Sequence, residues 1–193
     1  MVTSGMGISS RRKDPRAIRL DRVRRRSAAM ATASAAVAIL LGGAMLLYWC
    51  VTPADALFRY AGLVTPPPPE IGLALRLAGF AISMIPLGAL IAGLMSARRC
   101  FGHFSAGRIF SADAARSLRG FAYGVGASAL LKPLAGAALS VLLSALSPDQ
   151  TRSLVLDIGS DLLLSLLFAA MVAVIAGVLV EAADLAAEND QFV

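Results

Sequence analysis

Four stretches of this chain run for the length of a membrane crossing with almost no charge. Ala28–Thr52, Leu77–Ala97 and Leu162–Val180 are uncharged, and Gly120–Leu146 carries one charge, Lys132. A helix rises about 1.5 Å per residue, so about 20 residues cross a hydrocarbon core of about 30 Å. Inside lipid every backbone N–H and C=O must be paired within the protein, which leaves helices or a closed barrel. A barrel alternates apolar and polar residues in segments of about 10 residues, and these runs show no such alternation. The expected fold is therefore an all-α integral membrane protein, a four-transmembrane-helix bundle with spans at 28–52, 77–97, 120–146 and 162–180. Composition agrees, with 58% hydrophobic and only 16% charged residues against about 25% charged in soluble domains.

The charges that remain are placed unevenly. Half of the 18 Lys/Arg lie in residues 1–27, and Arg98, Arg99, Arg108, Arg116 and Arg119 lie between spans two and three. The other two connections hold only Arg59, Arg76 and Arg152. The positive-inside rule then places the N-terminus and the middle loop in the cytoplasm. Four crossings return the C-terminus to the same side. Residues 1–27 read as a basic cytoplasmic extension and residues 28–193 as the membrane domain with an acidic tail. The first apolar run is too long for a typical signal-peptide core, so it reads as an uncleaved anchor. Cys50 and Cys100 fall at opposite faces of the bilayer and are not expected to bridge each other. With His103 they are too few for a metal site; no metal or cofactor is expected.

Between the spans, three segments carry local signals. "RAIRLDRVRRR", residues 16–26, reads either as a short helix on anionic headgroups or as a topology anchor. It lacks aromatic interleaving and a reading element, so direct nucleic-acid binding is not expected. "TPPPPE" in the first outer loop is a stiff extended spacer. In the middle loop Gly107 suits a turn, Ser111 suits a helix cap and Asp113 suits a first turn. Phe110, Ala114, Leu118 and Phe121 follow on one apolar face. The spacing predicts a short amphipathic cytoplasmic helix between spans two and three that runs into span three.

Spans three and four each carry a row of small residues at every fourth position. The rows are Gly120, Gly124, Ser128, Lys132, Gly136, Ser140 and Ser144, and Asp161, Ser165, Ala169, Ala173, Gly177 and Glu181. Small residues let helix backbones approach, so the two spans are expected to pack antiparallel through these rows, Gly120 level with Glu181 and Ser140 level with Asp161. Lys132 lies near the centre of span three, where a lysine costs about 2.5 to 3.5 kcal/mol on insertion scales. Pro133 leaves the carbonyl of Ala129 without its helical donor. In that register a direct Lys132–Asp161 pair is out of reach without a shift or a bridging water. Lys132 is either a ligand or transport residue or a snorkelling lysine in a wet cavity.

The chain closes with "EAADLAAENDQFV". This ending, at Glu181, Leu185, Glu188, Asn189, Asp190 and Val193, resembles the closing motif of a bacterial membrane family, domain-of-unknown-function family 2975. The segment from Phe110 to Phe121 is similar to that family's middle-loop element. The resemblance implies a small protein with four membrane helices in the bacterial inner membrane. It also implies a transcription-regulator partner, because relatives are often encoded beside helix-turn-helix regulators. From the residues themselves, Arg116 and Arg119 are expected to hold Glu181, Asp184 and Glu188 in a latch, with Phe192 and Val193 tucked against Phe110 or Leu118; the other reading is a solvated tail. No nucleophile–base set, metal motif or phosphate loop occurs. The expected role is a non-enzymatic regulatory or interaction module with a cytoplasmic docking surface. The alternative is a small-solute transport or permeation subunit using Lys132. Partners are the lipid bilayer, a cytoplasmic protein and, as a further option, a second copy of the chain.

Overall fold

In the computed structural model, residues 15–53, 56–57, 72–108, 111–144 and 159–189 are described. They form four long helices: α1 Pro15–Val51, α2 Leu73–Ser105, α3 Ala112–Ser144 and α4 Ser160–Asn189. All four are long and apolar enough to cross a membrane, and no strand occurs among the described residues. The polyproline segment, Phe110 and residues 190–193 lie outside them.

The helices run past the apolar stretches that define the spans. The basic segment after Pro15 is the first turns of α1 rather than a separate element. The expected amphipathic helix is likewise not separate: its residues open α3, which continues without a break to Ser144. Nothing in residues 112–120 stops a helix. Gly120 lies next to α2 at Ser96, so this glycine serves close packing, not a turn.

Packing follows chain order. α2 lies between α1 and α3, and α3 lies between α2 and α4. α1 and α4 make at most marginal contact among the described residues. Each contact runs along a seam with steps of three and four. On α1 the seam is Ser27, Ala31, Ser34, Ala38, Leu41 and Met45. On α2 Gly79, Pro86, Gly93 and Cys100 are buried at seven-residue steps. Ala115, Ala122 and Ala129 repeat the step on α3, and Ala169, Ala176 and Ala183 on α4. A repeat averaging 3.5 residues keeps one seam against a neighbouring helix along its length. Small residues dominate because lipid offers no hydrophobic drive, so association rests on close backbone contact.

Two glycines bring the α2 and α3 backbones together. A Cβ on Gly124 would lie 2.7 Å from the Gly93 nitrogen and 2.9 Å from the Ala89 oxygen. A Cβ on Gly93 would lie 3.1 Å from the Gly124 Cα. The Gly120–Gly124 row of α3 therefore packs on α2, not on α4 as its spacing suggests. α4 takes the far side of α3 instead, where a Cβ on Gly126 would lie 3.5 Å from the Ala169 Cβ. Phe121 and Phe168 meet edge to face there, with centroids 6.4 Å apart. This corrects the register. Gly126 against Ala169 puts Gly120 level with about residue 175, not Glu181, so α4 is displaced toward its own C-terminal end by about 9 Å of helical rise.

At the end of the bundle opposite the α1 N-terminus, Trp49, Leu57, Leu139 and Leu143 form a buried cluster. Met45, Tyr48, Leu75 and Phe80 surround it. The Trp49 ring lies over Gly79 and fills the space a Cβ there would need.

Candidate functional site

Two arginines bind the α1–α2 pair at its ends. Arg76, in the first turn of α2, donates from Nη1 to the carbonyls of Trp49 at 2.7 Å and Thr52 at 3.1 Å. These are orphan acceptors at the C-terminus of α1. At the other end Arg24 of α1 donates from Nε to the Ser105 carbonyl at 2.9 Å, at the C-terminus of α2. Each guanidinium sits at the negative end of its neighbour's dipole. Sequence spacing gives no sign of either contact, because both depend on which helix lies alongside.

The turn from α2 to α3 forms as its residues suggest. Arg108 N–H bonds the His103 carbonyl at 3.0 Å and Gly107 N–H bonds the Phe104 carbonyl at 3.0 Å. With Gly107 at φ 83°, this is a Schellman closure. The Ser111 hydroxyl accepts from the Ala114 N–H at 3.2 Å, capping α3. Asp113 lies in the first turn. Arg108 Nη2 donates to His103 Nδ1 at 3.0 Å, so His103 is a polar partner in the last turn of α2.

The expected latch is not formed by the arginines. Arg116 pairs with Asp113 one turn back on its own helix, at 2.7 Å. Arg119 lies over the Tyr123 ring, 5.8 Å from its centroid, within cation–π range. Glu181, Asp184 and Glu188 are exposed, and no ion pair joins them to either arginine among the described residues. Each arginine is engaged on its own helix instead. With Gly126 against Ala169, Arg116 and Arg119 fall level with about residues 179 and 176, so Asp184 and Glu188 lie further along α4. Asp190, Phe192 and Val193 lie outside the described residues, and Asn189 is the last residue of α4.

That projecting end has one marked face. Glu181, Asp184, Leu185 and Glu188 fall within a third of a helical turn of one another and are all exposed. Ala183, on the opposite side, is buried. No basic residue stands in the last turn of α4. Its carboxylates oppose the dipole, whereas α1 and α2 each receive an arginine at the same point.

Lys132 is exposed on α3, and Pro133 follows it inside an unbroken helix. Leu139 and Leu143, seven and eleven residues on, share its face and are buried against Trp49 of α1. Lys132 thus lies on the side of α3 that turns inward at its far end. Beside it, a Cβ on Gly136 would meet nothing within 4 Å. The exposed lipid-facing stripe of Tyr123, Leu130, Leu134 and Val141 is on the other side of the helix. This face is therefore filled near Leu143 and open beside Lys132 at Gly136.

Four apolar helices packed in chain order through small-residue seams define the class: a multi-pass membrane protein. The family described as "Protein of unknown function (DUF2975)" matches residues 51–193, and the chain belongs to it. No curated protein matches the chain, and no solved structure does.

Proposed function

We propose that this protein is a non-enzymatic membrane-bound interaction module whose projecting α4 end docks a basic partner in the cytoplasm. The observation that carries the reading is the stripe Glu181, Asp184, Leu185 and Glu188. It is exposed, faces away from α3 and is unclaimed by Arg116 or Arg119. Three carboxylates around one leucine match an amphipathic helix laid into a groove, with the leucine as anchor and the charges setting register. A partner supplying Lys or Arg also gives α4 the terminal cation it lacks. A helix-turn-helix regulator has such a surface, since its phosphate contacts come from Lys and Arg. Docking on an acidic helix would compete with DNA.

The excess of arginine in residues 1–27 and 98–119 supports an orientation with both termini in the cytoplasm of a bacterial inner membrane. A photocrosslinking residue at Leu185 tests the reading in cells, with one at Leu163 on the lipid-exposed side of the same helix as control. Leu185 is expected to give a discrete adduct with a soluble protein, lost in Glu181→Arg/Glu188→Arg. Adducts at neither position, or an adduct at Leu185 that survives charge reversal, would remove the support for docking.

A further inference from the structure

Lys132 and Asp161 come to the same level of the bundle. Because Gly126 packs on Ala169, the antiparallel register sets Lys132 opposite about residue 163, within about 3 Å of axial rise from Asp161. They also share a side. Phe121 lies on the Lys132 face of α3 and meets Phe168, and Asp161 is seven residues from Phe168 on the same face of α4. Both charged side chains are exposed. Neither makes a hydrogen bond or an ion pair, with each other or with any other residue, among the described residues.

Their depth gives this weight. Gly93 against Gly124 sets Arg98 level with Arg119 and Arg76 level with about residue 141. The two arginine levels are about 33 Å apart by helical rise, close to the thickness of a hydrocarbon core. Lys132 and Asp161 lie between them, and among the described residues they are the charges that do. Charges at such depth are paired or line a water-filled or ligand-filled cavity.

We propose that Lys132 and Asp161 form a two-point binding site for a small zwitterion, a primary ammonium tethered by a few atoms to an anionic oxygen group. The Lys132 ammonium donates to the anionic oxygens. The Asp161 carboxylate accepts from the ligand's ammonium. A simple anion would leave Asp161 unpaired, and a simple cation would leave Lys132 unpaired, so each binds less well than a molecule carrying both. Free amino acids and the ethanolamine headgroup of a lipid share this chemistry, and both charged side chains are exposed to either. The site is separate from the α4 end and does not depend on it.

The test is thermal unfolding of the full chain in phosphatidylcholine nanodiscs, titrated with β-alanine and O-phosphoethanolamine. Propionate and ethylamine are the single-charge controls. A saturable rise in melting temperature is expected with the zwitterions and not with the controls. Lys132→Met and Asp161→Asn should each weaken the response by about tenfold or more, the scale of one charged hydrogen bond. Helical circular dichroism confirms that both variants fold. Replacing phosphatidylcholine by phosphatidylethanolamine distinguishes the sources. A rise with that lipid alone assigns the site to a headgroup, and a rise with β-alanine assigns it to a free solute; either supports the proposal. Equal responses to propionate and β-alanine would overturn it. So would a response unchanged in Lys132→Met/Asp161→Asn. Strong coupling between the two substitutions with no zwitterion present would also overturn it, because the side chains would then be bonded directly to each other.

Discussion

The Arg76 guanidinium of α2 sits 2.7 Å from the Trp49 carbonyl of α1 and reaches the Thr52 carbonyl as well. One side chain thus closes the end of a helix to which it does not belong. A cation at a helix C-terminus contributes about 0.3 to 1 kcal/mol when exposed and up to about 2 kcal/mol when partly buried. Arg76→Met should lower stability within that range. Hydrogen exchange should rise at Tyr48–Thr52 while the middle of α1 stays protected. Arg76→Lys keeps the charge and loses the planar fork, so it should recover part of the loss. Unchanged exchange at Thr52 in Arg76→Met would show that the contact contributes nothing.

Gly93 and Gly124 leave no room for a side chain between α2 and α3. The obstacle on both sides is backbone, which cannot rotate away. Gly124→Ala should force the helices apart and cost about 1 to 3 kcal/mol, the range for overpacking a close contact. Gly136→Ala is the control on the same helix, since nothing lies within 4 Å of its Cβ position. There alanine should be neutral or stabilising through helix propensity, by at most about 1 kcal/mol. Equal melting temperatures for the two variants would contradict the Gly93–Gly124 contact.

The four helices were legible because lipid imposes a length and a polarity that any sequence must meet. The α2–α3 turn was legible because its signals are local: a glycine able to take positive φ, a serine three residues before the first buried alanine, an acidic first turn. Register was not legible. Gly120, Gly124 and Ser128 form a row that fits any small-residue face, and the sequence does not say whether α2 or α4 lies against it. Assigning the row to α4 displaced that helix by about 9 Å. The error had two consequences, placing the tail beside Arg116 and Arg119 and keeping Asp161 away from Lys132. The capping arginines were missed for the same reason, since Arg24 and Arg76 act on helices remote in sequence.

Gly107 holds the α2–α3 turn at φ 83°, where an L side chain costs about 1 to 2 kcal/mol. Gly107→Val should destabilise the protein by at least that amount, because a β-branched residue is worst placed there. Gly107→Asn should be milder, as asparagine enters this region more readily. Protease cleavage after Arg108 reports on the turn directly. It should speed up in Gly107→Val and change little in Gly107→Asn. Identical cleavage in the two variants would mean that the Schellman closure does not hold the turn.

The register of α3 on α4 is open to a direct chemical test. A Cβ at Gly126 would stand 3.5 Å from the Ala169 Cβ, within the Cβ separation of about 3.5 to 4.5 Å that a disulfide spans. Both native cysteines are free, so Cys50→Ala and Cys100→Ala provide the background. In it, Gly126→Cys with Ala169→Cys should crosslink under mild oxidation in membranes. Ser140→Cys with Asp161→Cys should not, because the observed register separates those residues by about 9 Å of rise. The first result would leave Asp184 and Glu188 further along α4 than Arg116 and Arg119 and keep Asp161 within about 3 Å of axial rise of Lys132. The second pair crosslinking in place of the first would restore the arginine latch and remove Asp161 from the neighbourhood of Lys132. One experiment therefore decides the geometry on which both the docking face and the zwitterion site rest, before any partner or ligand is known.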